Sequence, residues 1–343
     1  MRPFRYEHPE DTDAAVALLN EHDGARPLAG GTNLVDLMKL GVATPDVIVD
    51  VSRLPLDTVD PLDGGGVRIG ANVRNADLAA HPLIRRDYPV LSRALLSAAS
   101  PQLRNLATTG GNMLQRTRCV YFQDVTTPCN KRDPGSGCSA IGGYTRYHAV
   151  FGHSDDCIAT HPSDMAVALA VLDATVVALG PGGERRIPAT EFHRLPGDRP
   201  HLDTILERDE LVVAVELPPP APGAVSTYRK VRDRASFAFA IVSVAAHLEI
   251  DDDEVITGVR IACGGVAHKP WRTTKAEELL VGRAVSTSAF AEAADAELAG
   301  ATPVEGTEFK IPLLRRTMIA VLRDLAAEAA GGRTGATGGE DPR

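Results

Sequence analysis

Four of the five cysteines in the chain, Cys119, Cys129, Cys138 and Cys157, stand within one stretch that runs from Asn105 to Asp164. Four thiols so placed are a candidate ligand set, because thiolates hold zinc or an iron–sulfur cluster. Gaps of nine, eight and eighteen residues separate them, with no Cys-x-x-Cys pair, so the zinc-ribbon spacing and the bacterial ferredoxin run are both missing. Spacing alone leaves a [4Fe–4S] cluster and a structural zinc equally open. Scattered structural thiols fit less well, since the segment between the cysteines is mostly polar, and its order is expected to depend on the metal. His148, His153 and His161 lie nearby and could each replace a cysteine, but four thiols already complete a site. Cys263 ends an apolar run and reads as a small buried hydrophobe.

Two glycine turns accompany the thiols. In Pro27-Leu-Ala-Gly-Gly-Thr-Asn-Leu34, Leu28 and Ala29 read as a strand end and Gly30-Gly31 as a tight turn. Thr32 or Asn33 then caps a helix with Leu34, Leu37 and Met38 inward. Such glycines let the backbone approach a ligand, and free amides at a helix start favour an anion such as a pyrophosphate. A plain strand–turn–helix connection has the same look, and the motif is neither G-x-G-x-x-G nor a Walker loop. The second turn, Ala107-Thr-Thr-Gly-Gly-Asn112, precedes the cysteines, and Pro162-Ser-Asp164 opens an apolar helix after them.

The elements that must position these residues alternate. Helical patterns cover 11–22, 90–99 and 164–173, and β-rich runs cover 45–52, 67–72 and 174–179, which predicts a mixed α/β domain. Leu217-Pro-Pro-Pro-Ala-Pro-Gly223 reads as an extended linker. Beyond it, strands near 227–232, 239–250 and 259–264 precede helices near 287–299 and 313–330, an α+β order. A chain of 343 residues exceeds one core. The expected division is 1–217, in subdomains 1–55 and 56–217 with an insertion at 115–160, then a C-terminal α+β domain at 224–330 with an antiparallel sheet and helices. A glycine-rich tail, 331–343, is expected to be disordered. A net charge of −9 argues against nucleic acid as the partner, and no apolar run is long enough to span a membrane. Absence of an apolar signal core implies a cytoplasmic chain, or a periplasmic one if it is exported folded with a partner bearing a twin-arginine signal.

These residues together resemble the FAD-binding (medium) subunits of molybdenum hydroxylases, the relatives of xanthine dehydrogenase, aldehyde oxidase and carbon monoxide dehydrogenase. Pro27–Leu34, Ala107–Asn112 and Tyr228-Arg-Lys-Val-Arg-Asp-Arg234 with the 237–244 run carry the resemblance. Most members pass from Gly-Gly-Asn to the Ser-Asp helix through a short loop. The added segment with four cysteines is similar to the branch typified by the bacterial aldehyde oxidoreductase flavin subunit, which implies a [4Fe–4S] cluster on Cys119, Cys129, Cys138 and Cys157.

The resemblance implies a two-part α/β FAD-binding domain followed by the α+β domain. It also implies non-covalent FAD held by Leu28, Ala29, Gly30, Gly31, Thr32, Asn33 and Leu34, by Ala107, Thr108, Gly111 and Asn112, and by Asp164, Leu211 and Lys230. No side chain is expected to act as a catalytic acid or base. As implied, the chain is an electron-transfer subunit beside a molybdenum-cofactor large subunit and a [2Fe–2S] small subunit, passing electrons to an external acceptor. Two alternatives are the flavin subunit of a 4-hydroxybenzoyl-CoA reductase-type complex working reductively, and a zinc-stabilised scaffold without redox activity.

Overall fold

The computed structural model describes residues 1–336 and contains three sheets. The first is parallel, with β3 (Val47–Asp50) between β1 (Arg5–Glu7) and β2 (Ala25–Leu28). The central strand is buried along its whole length, which is why it reads as an unbroken apolar run ending in Asp50. Thr12–Glu21 crosses between β1 and β2, and its free first-turn amide on Ala14 is taken by Asp11 Oδ1 at 2.8 Å.

The second sheet is antiparallel, in the order β4 (Val59–Pro61), β5 (Val67–Gly70), β8 (Leu211–Leu217), β6 (Thr175–Gly180), β7 (Gly183–Pro188). Its strand β8 is buried on both faces. Leu211 and Val213 pack with Val16 and Leu19 of the first crossover helix, whereas Val212 and Val215 join the larger core under the helices Pro89–Ser97 and Asp164–Val171. Every residue of Asp164–Val171 is buried, so this helix is apolar all round and forms the centre of the molecule.

The third sheet is antiparallel in the order β12 (Trp271–Arg272), β11 (Ile256–Gly264), β10 (Val242–Ile250), β9 (Val225–Val231). Both β10 and β11 pack on Asp164–Val171, and the other side of the sheet is covered by helices Thr274–Leu280, Thr287–Leu298 and Lys310–Ala336. Leu314, Met318, Val321, Leu322 and Leu325 form the buried stripe of the last helix, as their spacing predicts. That helix runs on to Ala336, so the first six residues of the expected disordered tail are helical. Extending an existing helix adds one hydrogen bond per residue fixed, and this outweighs the low helix preference of three glycines. The remainder of that tail, 337–343, lies outside the described residues.

The cysteine segment differs from its polar reading. Its regular structure is one short helix, Val120–Gln123, yet Phe122, Ala149, Val150, Phe151, Ile158 and Ala159 are all nearly inaccessible. Val150 and Phe151 belong to the C-terminal core, where Phe151 stacks on Trp271 with ring centroids 4.8 Å apart. Lys310 is also fully buried and donates to His148 O and Gly265 O, each at 2.7 Å. The segment is therefore tied down by packing and hydrogen bonds of its own, through short apolar runs such as Ala149-Val-Phe151 that carry no periodicity. Burial moves the Lys310 ammonium down to about 7. No helix of the described residues is long and apolar enough to cross a membrane.

Candidate functional site

A cleft of about 690 Å³ opens where the first glycine turn, the second glycine turn, the start of Asp164–Val171 and the C-terminal sheet meet. That size and position suit a bound small molecule. Gly30 is what lets the two turns touch. A Cβ there would stand 1.9 Å from Leu106 O, so only glycine fits between the strands of backbone. Gly31 has φ +72°, in the left-handed region that favours glycine. Asn33 occupies the cap position of Leu34–Lys39 without capping it. Its Oδ1 accepts the Arg116 amide at 2.9 Å instead, and its Nδ2 is buried without a partner among the described residues.

The second turn is held the same way. Thr108 Oγ1 accepts the Gly111 amide at 3.2 Å, and Asn112 Oδ1 accepts Ser163 Oγ at 2.6 Å and Gln115 Nε2 at 2.8 Å. Ser163 in turn caps Asp164–Val171 by accepting the Ala166 amide at 2.9 Å. Asp164 then receives Lys230 Nζ at 2.7 Å and the Tyr228 hydroxyl, both reaching over from β9. Burial and then the Asp164 charge hold the Tyr228 phenol well above its usual range.

Among the predicted flavin residues, Thr32, Asn33, Ala107, Gly111, Asn112 and Asp164 line the cleft. Leu28, Ala29, Gly30, Gly31, Leu34 and Thr108 shape its two turns from behind, and Lys230 acts on the wall through Asp164. Leu211 does not line the cleft. It is 4% exposed in the core between the parallel sheet and β8, because alternate residues of β8 face opposite sides. Sequence reasoning did not name Asn75, Arg118 and Phe239 as site residues, although all three line the cleft and Phe239 falls within the 237–244 run.

Several lining residues carry buried polar atoms without a hydrogen-bond partner among the described residues: Asn33 Nδ2, Asn75 Oδ1, Arg118 Nε and His161 Nε2. Native proteins rarely leave such atoms unpaired. Their convergence on one cleft fits a large polar ligand that supplies the missing partners.

Beside the cleft is a second, small void whose wall includes Cys119, Cys129, Cys138 and Cys157. Cys119 lies on the walls of both the void and the cleft. Cys129 and Cys138 face each other across the closed loop 129–138, where Asn130 exchanges backbone and side-chain bonds with Gly137 at 2.7 and 2.8 Å. Lys131 lines the void, and its ammonium is fixed by Pro200 O at 2.7 Å and by Asp203, which also binds Arg116 Nε at 2.6 Å. Burial pushes the Asp203 carboxyl up, but the Lys131 and Arg116 charges outweigh it and hold the group well below the usual range. Burial raises the Cys119 thiol to about 11 and the Cys157 thiol to about 12. His148 Nε2 lies 3.2 Å from Cys119 Sγ, and His268 Nε2 lies 3.3 Å from Cys157 Sγ. Among the described residues, no three His, Cys, Asp or Glu side chains gather closely enough for one metal ion. Cys263 is fully buried in β11 and lines neither space.

Residues 2–220 match the family described as the FAD binding domain in molybdopterin dehydrogenase, and residues 226–324 match the CO dehydrogenase flavoprotein C-terminal domain. The chain is 52% identical, over 331 residues, to the aldehyde oxidoreductase FAD-binding subunit PaoB of Escherichia coli (strain K12), covering 96% of this chain and 100% of that protein. It is 29% identical to the carbon monoxide dehydrogenase medium chain of Hydrogenophaga pseudoflava, covering 88% of each. A solved carbon monoxide dehydrogenase from Hydrogenophaga pseudoflava, lacking the Mo-pyranopterin moiety of its molybdenum cofactor, superposes with a TM-score of 0.75 at 27% identity, over 96% of this chain and 99% of the other.

Proposed function

We propose, since the chain belongs to the FAD-binding medium subunits of the molybdenum hydroxylase family, that it is the electron-transfer subunit of an aldehyde-oxidising complex, with FAD in the cleft and a [4Fe–4S] cluster in the thiol-lined void. Its partners in that reading are a molybdenum-cofactor large subunit, a [2Fe–2S] small subunit and an external electron acceptor. Those cofactors supply the redox chemistry, and the protein supplies binding, orientation and electrostatics.

The side chains of this subunit bind and position. Asn33 Nδ2 and Arg118 offer donors to a polar ligand, Asn75 Oδ1 offers an acceptor, and the Gly30 contact keeps the two turns close enough to grip one molecule. Asp164, held by Lys230 and Tyr228, fixes one wall of the cleft. The four thiols would lose their protons on holding iron, and Lys131, on the same wall, would balance part of that charge.

One observation carries the cluster reading: four thiols from separate parts of one loop share the wall of a single void, and one of them also faces the cleft. Zinc would draw its ligand atoms to about 2.3 Å from one point. Among the described residues no three of the thiols gather as the ligands of a single metal ion would, which favours the cluster over zinc. Anaerobic purification with flavin, iron and acid-labile sulfide analysis tests the reading. FAD released by acid with four irons and four sulfides per chain is expected; stoichiometric zinc without sulfide would overturn it.

A further inference from the structure

His148 and His268 belong to distant parts of the chain, one in the cysteine segment and one in the connection between β11 and β12. Each directs Nε2 at a cysteine sulfur, at 3.2 Å on Cys119 and 3.3 Å on Cys157. In both rings Nδ1 is buried with no partner among the described residues. A neutral imidazole carries its proton on one nitrogen only. Were that nitrogen Nδ1, a buried N–H would lack any acceptor, a costly arrangement. With the proton on Nε2, the N–H points at sulfur, and the orphaned Nδ1 is a lone pair alone. The same choice is forced twice, independently, and in both cases it makes the sulfur the acceptor.

We infer that His148 and His268 are positioning residues that donate Nε2–H hydrogen bonds to the Cys119 and Cys157 thiolates and thereby raise the reduction potential of the cluster. The inference rests on the cluster reading above. Hydrogen bonds to the sulfurs and burial are among the protein's means of setting such a potential. A donor stabilises negative charge on sulfur, and that charge grows when the cluster takes an electron, so the reduced form gains more. Both histidines are buried, and the backbone of His148 is tied at its amide and its carbonyl. The His148 carbonyl accepts the buried Lys310 ammonium at 2.7 Å and its amide donates to Thr145 O at 2.8 Å, while His268 is 7% exposed. Because His148 also lines the cleft, its donor acts on the thiolate that stands between the two spaces.

The test is an EPR-monitored redox titration of the full chain, purified anaerobically with its iron, comparing His148→Phe, His148→Gln and the same pair at His268. Phe keeps the bulk and removes the donor; Gln keeps an N–H at similar reach. Expected are a downward shift of the cluster's midpoint potential in each Phe variant, recovery towards wild type in each Gln variant, and loss in the Phe variants of the exchangeable-proton coupling seen by ENDOR. A His148→Phe protein with full iron and an unshifted potential overturns the inference while leaving the cluster reading intact. Should a Phe variant lose iron, its Gln variant decides: wild-type iron and potential support the donor role, and an equal loss overturns it. Wild-type protein without iron or sulfide removes the cluster reading and this inference with it.

Discussion

Lys230 Nζ lies 2.7 Å from Asp164 Oδ2, and the two side chains are 3% and 5% exposed. The pair joins β9 of the C-terminal sheet to the first turn of the central helix, and the Tyr228 hydroxyl adds a bond to the same carboxylate. A buried ion pair so placed fixes one wall of the cleft from across the seam between two sheets. Removing one partner leaves an uncompensated buried charge, which costs about 3–5 kcal/mol. Lys230→Met should therefore lower urea stability by about that amount. The double variant Asp164→Asn, Lys230→Met should recover part of the loss. A Lys230→Met protein as stable as wild type would remove the pair from this role.

Gly30→Ala should be more damaging than its chemistry suggests. The new Cβ would meet Leu106 O at 1.9 Å, backbone against backbone, so the two turns must separate. Flavin per chain, read from the visible spectrum and protein absorbance, is expected to fall severalfold together with the melting temperature. Gly31→Ala meets only side chains, Val35 at 3.1 Å and Leu28 at 3.5 Å, and φ +72° costs it roughly 1–2 kcal/mol, so its flavin content should fall less.

Much of this was legible in the residues. Many strand and helix positions followed from period and capping, and β3 read as a short apolar strand, but β1, β4, β7 and the central β8 were not read as strands. The two glycine turns were visible, but the reason for Gly30 was not, since its neighbour Leu106 is remote in sequence. Asn75, Arg118 and His268 carried no local signal because their roles arise only when distant segments meet. Leu211 was placed at the cleft by resemblance, yet no side chain of β8 lines the cleft and Leu211 packs in the core with Val16 and Leu19. The cysteine segment looked unable to pack because its apolar residues come in short runs, and those runs insert into the core of the C-terminal domain.

Asp203 gives the cysteine segment an acid sensitivity. Its folded carboxyl titrates below the unfolded value near 3.9 because Lys131 and Arg116 outweigh the cost of burial. The stabilisation is thus present at neutral pH and is lost as pH falls below about 4 towards the folded value. Limited proteolysis should show cleavage of 115–160 rising in that window. In Asp203→Asn the protection should already be reduced at pH 7, with a flatter dependence on acid.

In the proposed reading one void, walled by four cysteines, holds the metal centre next to the flavin cleft. Iron and acid-labile sulfide analysis of a cysteine series, with EPR of the dithionite-reduced protein, tests it most directly. Cys119→Ser, Cys129→Ser, Cys138→Ser and Cys157→Ser should each lose most of the iron and the EPR signal. Cys263→Ser, buried in β11 away from the void, should keep both. Full iron and an unchanged signal in any two of the four variants, or loss of iron in Cys263→Ser alone, would contradict the claim.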